Sequence, residues 1–184
     1  LRHCDAQLGG LGQLSALVGV ADDYDQLAQL EAEAEEQGYL RSVNTSGKRP
    51  KFKRLKPLHL RTSEGFDVFV GRSAAQNEEV TFRIGHSDDL WLHVQTIHGA
   101  HVIIRREGRE VPEQSLREAA GLAAYFSQAR EEKAVDVDVS RRSLVRKVPG
   151  GPVGLVTYRA EQTLRVVPRA PEELTSAGIT RAPH

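Results

Sequence analysis

Within sixteen positions the chain gathers His86, Asp88, Asp89, His93, His98 and His101, and among them stands Trp91, its only tryptophan. Imidazole and carboxylate side chains suit zinc or iron. Yet no pair has the spacing that puts two metal ligands on one helix face, and no cysteine is at hand to complete a structural zinc site. The expectation is therefore no metal, no cofactor and no enzymatic activity, with a metal-dependent enzyme using this His/Asp cluster as the alternative. Nucleophilic catalysis finds less support, because there is no Gly-x-Ser-x-Gly elbow and the sole cysteine, Cys4, lies far upstream. The second chemistry on offer is stacking. Asp89, Trp91, His93 and Gln95 alternate with Leu90, Leu92 and Val94, so a strand here buries the aliphatics and gathers acid, indole, imidazole and amide on its other face. Such a face can hold a nucleobase. The alternative for Trp91 is a core indole whose N–H is satisfied by Asp89 or a backbone carbonyl.

The elements that must position these groups can be read from periodicity. LWLHV and HVIIR flank a turn at Thr96 to Ala100, where Gly99 can supply φ > 0, and this predicts a hairpin with Leu90, Leu92, Val94, Val102 and Ile104 inside. Whether His93 and His101 share a face depends on a register that the pattern does not fix. Upstream, Phe66 to Val70 and Val80 to Gly85 read as strands, with Arg72 to Glu79 a polar loop between them that carries Gln76 and Asn77. Downstream, Ser115-Leu116-Arg117-Glu118 has capping-box spacing and opens a helix running to about Lys133, whose small residues Ala119 to Ala124 let it lie close on a sheet. Val135, Val137 and Val139 alternate with Asp136 and Asp138, and a solvent-facing polar side explains the two acids more simply than metal or acid–base work. Arg141, Arg142, Arg146 and Lys147 follow, then the turn Pro149 to Pro152, and GLVTYR with TLRVVP predicts a closing hairpin turned at Ala160 to Gln162.

At 184 residues the chain suffices for one ordinary domain and a smaller appendage. No apolar run approaches the roughly 20 residues of a bilayer span, and no secretory leader is evident, so cytoplasmic residence without a membrane partner is expected. A start at Leu1 and the absence of methionine suggest a piece of a longer polypeptide. The zero net charge hides an asymmetry: Asp5, Asp22, Asp23, Asp25, Glu31, Glu33, Glu35 and Glu36 stand against Arg2 before residue 41, whereas residues 41 to 61 hold no acid. The first part reads as a two-helix arm over 1–41. One helix has a stripe of Leu8, Leu11, Leu14, Leu17 and Val18, weakened by Gly9, Gly10 and Gly12; a second, capped by Asp22 or Asp23, has a stripe of Tyr24, Leu27, Leu30 and Ala34. A basic linker over 42–63 follows, in which Lys48, Arg49, Lys51, Lys53 and Arg54 surround Phe52 and can meet a polyanion. The main domain covers 64–168, and 169–184 reads as a disordered tail.

Several pieces in order resemble the RNA-binding R domain of the NFACT family, which contains the ribosome-associated quality-control factors of the RqcH type. They are Gly71-Arg72 with Gln76-Asn77, Thr81-Phe82, Asp89-Leu90-Trp91-Leu92-His93, Gly99-Ala100-His101-Val102, the helix from Ala119 to Ser127, Val145-Arg146-Lys147, and Gly154 to Tyr158 followed by Thr163. Glu36-Gln37-Gly38-Tyr39-Leu40 resembles the end of the family's middle coiled-coil region. Ser73, Ala100 and Val153 depart from the residues usual there. Five or more strand signals interrupted by one strong helix predict an α+β fold, a mainly antiparallel sheet packed on one long helix and preceded by the arm. The resemblance implies binding of obstructed large ribosomal subunits with peptidyl-tRNA and support of tRNA recruitment for C-terminal tailing. Large-subunit RNA and tRNA are then the partners, with no small-molecule substrate. The nucleic-acid-binding residues expected are Arg72, Asn77, Asp89, Trp91, His93, His101, Arg146 and Lys147, together with the five basic residues of the linker. A protein-interaction or adhesion module, a label attached to some Gram-positive relatives, is a further alternative.

Overall fold

The computed structural model describes residues 2–19, 21, 23–41, 55–172 and 180–181. The strands are β1 (Leu58–Arg61), β2 (Asp67–Val70), β3 (Leu90–Val94), β4 (Val102–Ile104), β5 (Val135–Arg141), β6 (Arg146–Lys147), β7 (Val156–Thr157), β8 (Gln162–Val166) and β9 (Thr180–Arg181). Seven of them form one antiparallel sheet in the order β8-β5-β3-β4-β2-β1-β9, and β6 and β7 make a separate ribbon. The helices are α1 (Arg2–Gly19), α2 (Tyr24–Glu36), α3 (Ala74–Glu79) and α4 (Glu113–Tyr125). The fold is α+β.

The register assigns every side chain to one of two faces. Leu58, Leu60, Val68, Val70, Leu92, Val94, Val102, Ile104, Val137 and Val139 point to the face covered by α4, where they enclose its Ala119, Ala120, Leu122, Ala123 and Ala124. On the opposite face one row runs across five strands, pairing His59 with Phe69, Phe69 with Ile103, Ile103 with Trp91 and Trp91 with Ser140. The β3 end of that row is closed by a second, smaller core of Val80, Trp91, Ile103 and Val145. The β1 end is not closed to the same degree: His59 and Phe69 keep part of their surface exposed.

Several expectations are corrected. Residues 80–84 form a π-helical turn continuing α3, not a strand, and the expected polar loop before it is α3 itself. Ser73 caps α3 by accepting from the Gln76 N–H, and Val80 and Ile84 then recur at helical spacing, a pattern that five residues cannot distinguish from alternation. The long helix starts at Glu113 and ends at Tyr125, eight residues before Lys133. Its cap is not Ser115: the Glu64 carboxylate, from the turn between β1 and β2, accepts from the Ser115 N–H at 3.1 Å and from its hydroxyl at 2.7 Å. Glu118 answers by accepting from the N–H and hydroxyl of Ser63. The last runs do not pair with each other, since β7 pairs with β6 and β8 with β5. Finally, β1 lies in the stretch read as linker, and β9, from the stretch read as a disordered tail, pairs with it.

The arm docks through groups that the stripe reading treated as exterior. Tyr24 and Leu27 are exposed, whereas Gln26, Gln29 and Glu33 are buried. Glu33 accepts from the Ser73 hydroxyl at 2.6 Å, from Gln29 at 3.0 Å and from the Ala75 N–H at 3.3 Å, so α2 adds a second cap to α3. In α1 the glycines permit close approach. A Cβ on Gly12 would collide with the His98 imidazole, and one on Gly10 with the Tyr39 hydroxyl. Their helix-propensity penalty is offset by contacts that no larger residue could make.

Candidate nucleic-acid interface

The Trp/His constellation is a buried aromatic cluster. The Trp91 side chain is wholly enclosed; its ring lies 5.5 Å from His93 at 13°, 5.1 Å from His101 at 79° and 4.6 Å from Tyr158 at 52°. His93 and His101 do share a face, edge to face at 5.3 Å. The Thr81 hydroxyl lies 2.8 Å from His101 Nδ1, and Asn77 accepts from the His101 N–H at 2.9 Å while donating to the Gly99 carbonyl at 3.2 Å. Gly71 is needed here because a Cβ would come within 2.8 Å of the Asn77 backbone. Asn77 therefore fastens the turn before β4. It is fully buried.

Asp89 is likewise internal. Its carboxylate accepts from the N–H groups of His86 and Arg106 and from Arg105 Nε at 3.1 Å, which ties the open end of the β3–β4 hairpin. It is thus engaged elsewhere, and Trp91 Nε1 has no hydrogen-bond partner among the described residues. Asp138, opposite His93, is buried and accepts from Tyr158, Thr163 and Gln95, while Asp136 pairs with Arg165. Of the six His and Asp residues that suggested a metal, His93 and His101 meet ring to ring, whereas His86 and Asp88 are exposed at the hairpin end, where Asp89 is bonded to His86, Arg105 and Arg106. Among the described residues no three His, Cys, Asp or Glu side chains converge as a metal site.

Electrostatically the cluster is neutral. Burial pulls His93 down to about 4; a backbone contact at Val94 opposes it, the nearby His98 adds to it, and Gly99 and Asp138 oppose it more weakly. Burial holds His101 well below its ordinary value and depresses His98 too. Burial, then the bond to Asp138, raises Tyr158. At neutral pH these imidazoles carry no charge that could meet a phosphate.

Exposed cations lie instead on the layer that covers the cluster. The π-helical turn presents Phe82, and Arg142 and Lys147 sit over its ring at 5.0 and 5.1 Å. Arg142 donates to the Thr81 carbonyl at 2.7 Å, which fixes its guanidinium, and Lys147 also meets Glu78 at 2.6 Å. Arg146, beside it on β6, is exposed and bonds the carbonyls of Ser143 and Val145; Arg83 is exposed as well. Arg146 and Lys147 were singled out from sequence; Phe82, Arg83 and Arg142 as a group were not. The signal available was the Thr81-Phe82 piece together with a basic run more than fifty residues downstream, and only the topology joins them. Arg72 is half-buried against the arm, with Nη1 3.5 Å from Gln26. Lys48, Arg49, Lys51, Lys53 and Arg54 lie outside the described residues.

Fold and site together define an α+β module whose sheet is covered on one face by a helix and on the other by a cation-edged aromatic layer. The chain belongs to the NFACT family: residues 55–158 match the NFACT protein RNA binding domain. It is 39% identical over 149 residues to the Rqc2 homolog RqcH of Bacillus subtilis, covering 78% of this chain and 25% of that protein. It is 31% identical over 118 residues to the ribosome quality control complex subunit NEMF homolog of Drosophila melanogaster, covering 61% of this chain and 12% of that one. Among solved structures, the C-terminal part of the fibronectin/fibrinogen-binding protein from Streptococcus suis superposes with a TM-score of 0.84 at 32% identity, over 95% of this chain and 68% of that chain. The chain spans about a quarter of the length of the RqcH relatives it matches. Among the described residues no helix is long and apolar enough to cross a membrane.

Proposed function

We propose that this chain is the RNA-holding module of a ribosome-associated quality-control factor, acting on obstructed large ribosomal subunits with peptidyl-tRNA and supporting tRNA recruitment for C-terminal tailing. The observation that carries the reading is the grouping of Arg142 and Lys147 on the ring of Phe82, with Arg146 exposed beside them. Guanidinium and ammonium groups meet phosphates, and the aromatic edge between them offers a surface to bases or riboses. Lys48, Arg49, Lys51, Lys53 and Arg54, which precede β1 in the sequence, supply five further cations for a polyanion. In this account the buried Trp91, His101, Asn77 and Asp89, with the half-buried His93, hold the covering layer in place and do not touch RNA themselves. Domain limits of 1–41 for the arm and 64–168 for the main body fit this division of labour, with β1 added to the body.

The test is ultraviolet cross-linking in cells carrying the full-length protein, followed by sequencing of the attached RNA. Large-subunit ribosomal RNA and tRNA should dominate, and Arg146→Ser with Lys147→Ser should reduce both. A second reading comes from the solved relative, whose printed name says that it binds fibronectin or fibrinogen. Recovery of the protein at the cell surface, with no RNA attached, would favour it.

A further inference from the structure

The RNA-binding reading rests on one aromatic ring, Phe82, but the same sheet face carries a second that the covering layer leaves open. Phe69 on β2 lies directly across from His59 on β1, and the two rings are stacked with centroids 4.3 Å apart at 16°. On the β4 side Arg105 places its guanidinium 5.4 Å from the centre of the same phenyl ring. About a third of the His59 side chain is open to solvent, at 34%. A carboxylate can only accept, so the 3.1 Å contact between His59 Nε2 and Asp67 Oδ1 fixes the hydrogen on Nε2 and sets the orientation of the ring. Arg61, half exposed, meets the same carboxylate at 3.2 Å. Burial pushes the Asp67 carboxyl up, but hydrogen bonds from Arg61 and His59 outweigh it and hold the group below its ordinary value.

This stack is continuous with the Phe82 edge. Phe69, Phe82 and Ile84 all pack on the same small core, and Arg105 donates to the Ile84 carbonyl at 2.6 Å. Across the sheet, β1 is three strand spacings from β3, about 14 Å. Lys56, exposed, lies two positions before the first residue of β1. The local charges nearly cancel: Arg61 and Arg105 are matched by Asp67 and Asp89. What the site offers is therefore a flat, oriented π-surface and not a phosphate clamp. Open sheet faces with aromatic side chains are a recurrent platform for splayed bases of single-stranded RNA.

We propose that the outer face of His59, stacked on Phe69, is a second nucleobase-stacking site, which takes one unpaired base of the same RNA strand that crosses the Phe82 edge. This rests on the RNA-binding reading above and extends it to a separate residue pair. Stacking does not depend on counterion release, so the contribution of His59 survives at high salt, unlike that of Arg146 and Lys147.

The experiment compares two single-stranded oligoribonucleotides of equal length and charge, one oligoadenylate and one abasic, against the complete 184-residue chain. Wild type, His59→Ala and His59→Phe are titrated in parallel, with circular dichroism melts to check folding. His59→Ala should weaken oligoadenylate about tenfold and leave the abasic strand within about twofold, and His59→Phe should restore the loss. Equal affinity of wild type and His59→Ala for oligoadenylate overturns the inference while leaving RNA binding intact. So does an equal weakening toward both strands, which would mark a charge or folding effect. If wild type binds neither strand, the RNA-binding reading itself fails and this site falls with it.

Discussion

Trp91 lies nearly parallel to His93, ring centres 5.5 Å apart, with none of its surface exposed. The pair looks like a ligand platform in sequence and is a packing element in the fold. Trp91→Phe removes part of a filled interior, so it should destabilise the chain by about 1–3 kcal/mol in urea titrations. RNA affinity and its salt dependence should stay within error of wild type once the variant is folded. A folded Trp91→Phe protein that loses RNA affinity would return the indole to the interface.

The neutral imidazoles make stability pH-dependent in a defined direction. The folded value of His93, about 4, lies below its ordinary 6.5, so on acidification the unfolded chain takes up the proton first. Stability from this group is complete above about pH 6.5 and is lost as pH falls toward about 4, on the order of 3 kcal/mol in all. His101 and His98 shift in the same direction and add to the loss. Urea midpoints measured from pH 7.5 to 4.5 should fall steadily, and His93→Phe, which keeps a ring against Trp91, should flatten the profile. Superimposable profiles would contradict the assignment.

Docking of the arm depends on Glu33, which bonds Ser73, Gln29 and the Ala75 N–H. Glu33→Ala leaves buried donors without an acceptor, a cost of about 1–3 kcal/mol. The loss should appear locally. Amide hydrogen exchange should speed up across 24–36 and 73–77, while α4 keeps its protection.

The α4 cap is supplied from the β1–β2 turn, 51 positions away in sequence. Glu64→Ala should therefore cost about 1 kcal/mol, the usual size of a lost cap. Ser115→Ala should also destabilise, because the hydroxyl donates to Glu64 as well as lying 2.9 Å from Thr62. If Ser115→Ala destabilises and Glu64→Ala does not, the local capping-box reading would be reinstated.

How far the sequence carried is clear from particular residues. The β3–β4 hairpin, the alternation of β5 and the existence of α4 were legible because each has a strong period over its length. The π-helical turn at 80–84 was not, since five residues of V-T-F-R-I satisfy either period and the deciding contacts, Ser73 and Glu33, are set by capping and by the arm. The choice between a ligand face and the core was left open for Trp91 for a related reason. Alternation on β3 identifies the two faces but not what covers the second one, and its cover comes from the π-helical turn at 80–84 and from Val145, Val156 and Tyr158 around the β6–β7 ribbon, which meet only in three dimensions. Phe82 with Arg142 and Lys147 was hidden by the same sequence separation. By contrast, Arg146 and Lys147 stood out because they close a basic run, Arg141 to Lys147, and belong to the Val145-Arg146-Lys147 piece of the family resemblance.

The central claim, that the Phe82 edge holds RNA through Arg142, Arg146 and Lys147, is tested most directly by the salt dependence of binding to a structured ribosomal RNA fragment. Arg146→Ser with Lys147→Ser removes two phosphate contacts, so the slope of log affinity against log salt should become shallower by about 1.4 to 1.8, with weaker binding of every RNA at low salt. An unchanged slope and affinity in this folded double variant would mean that the edge does not touch the phosphate backbone, and the account would be wrong at its centre.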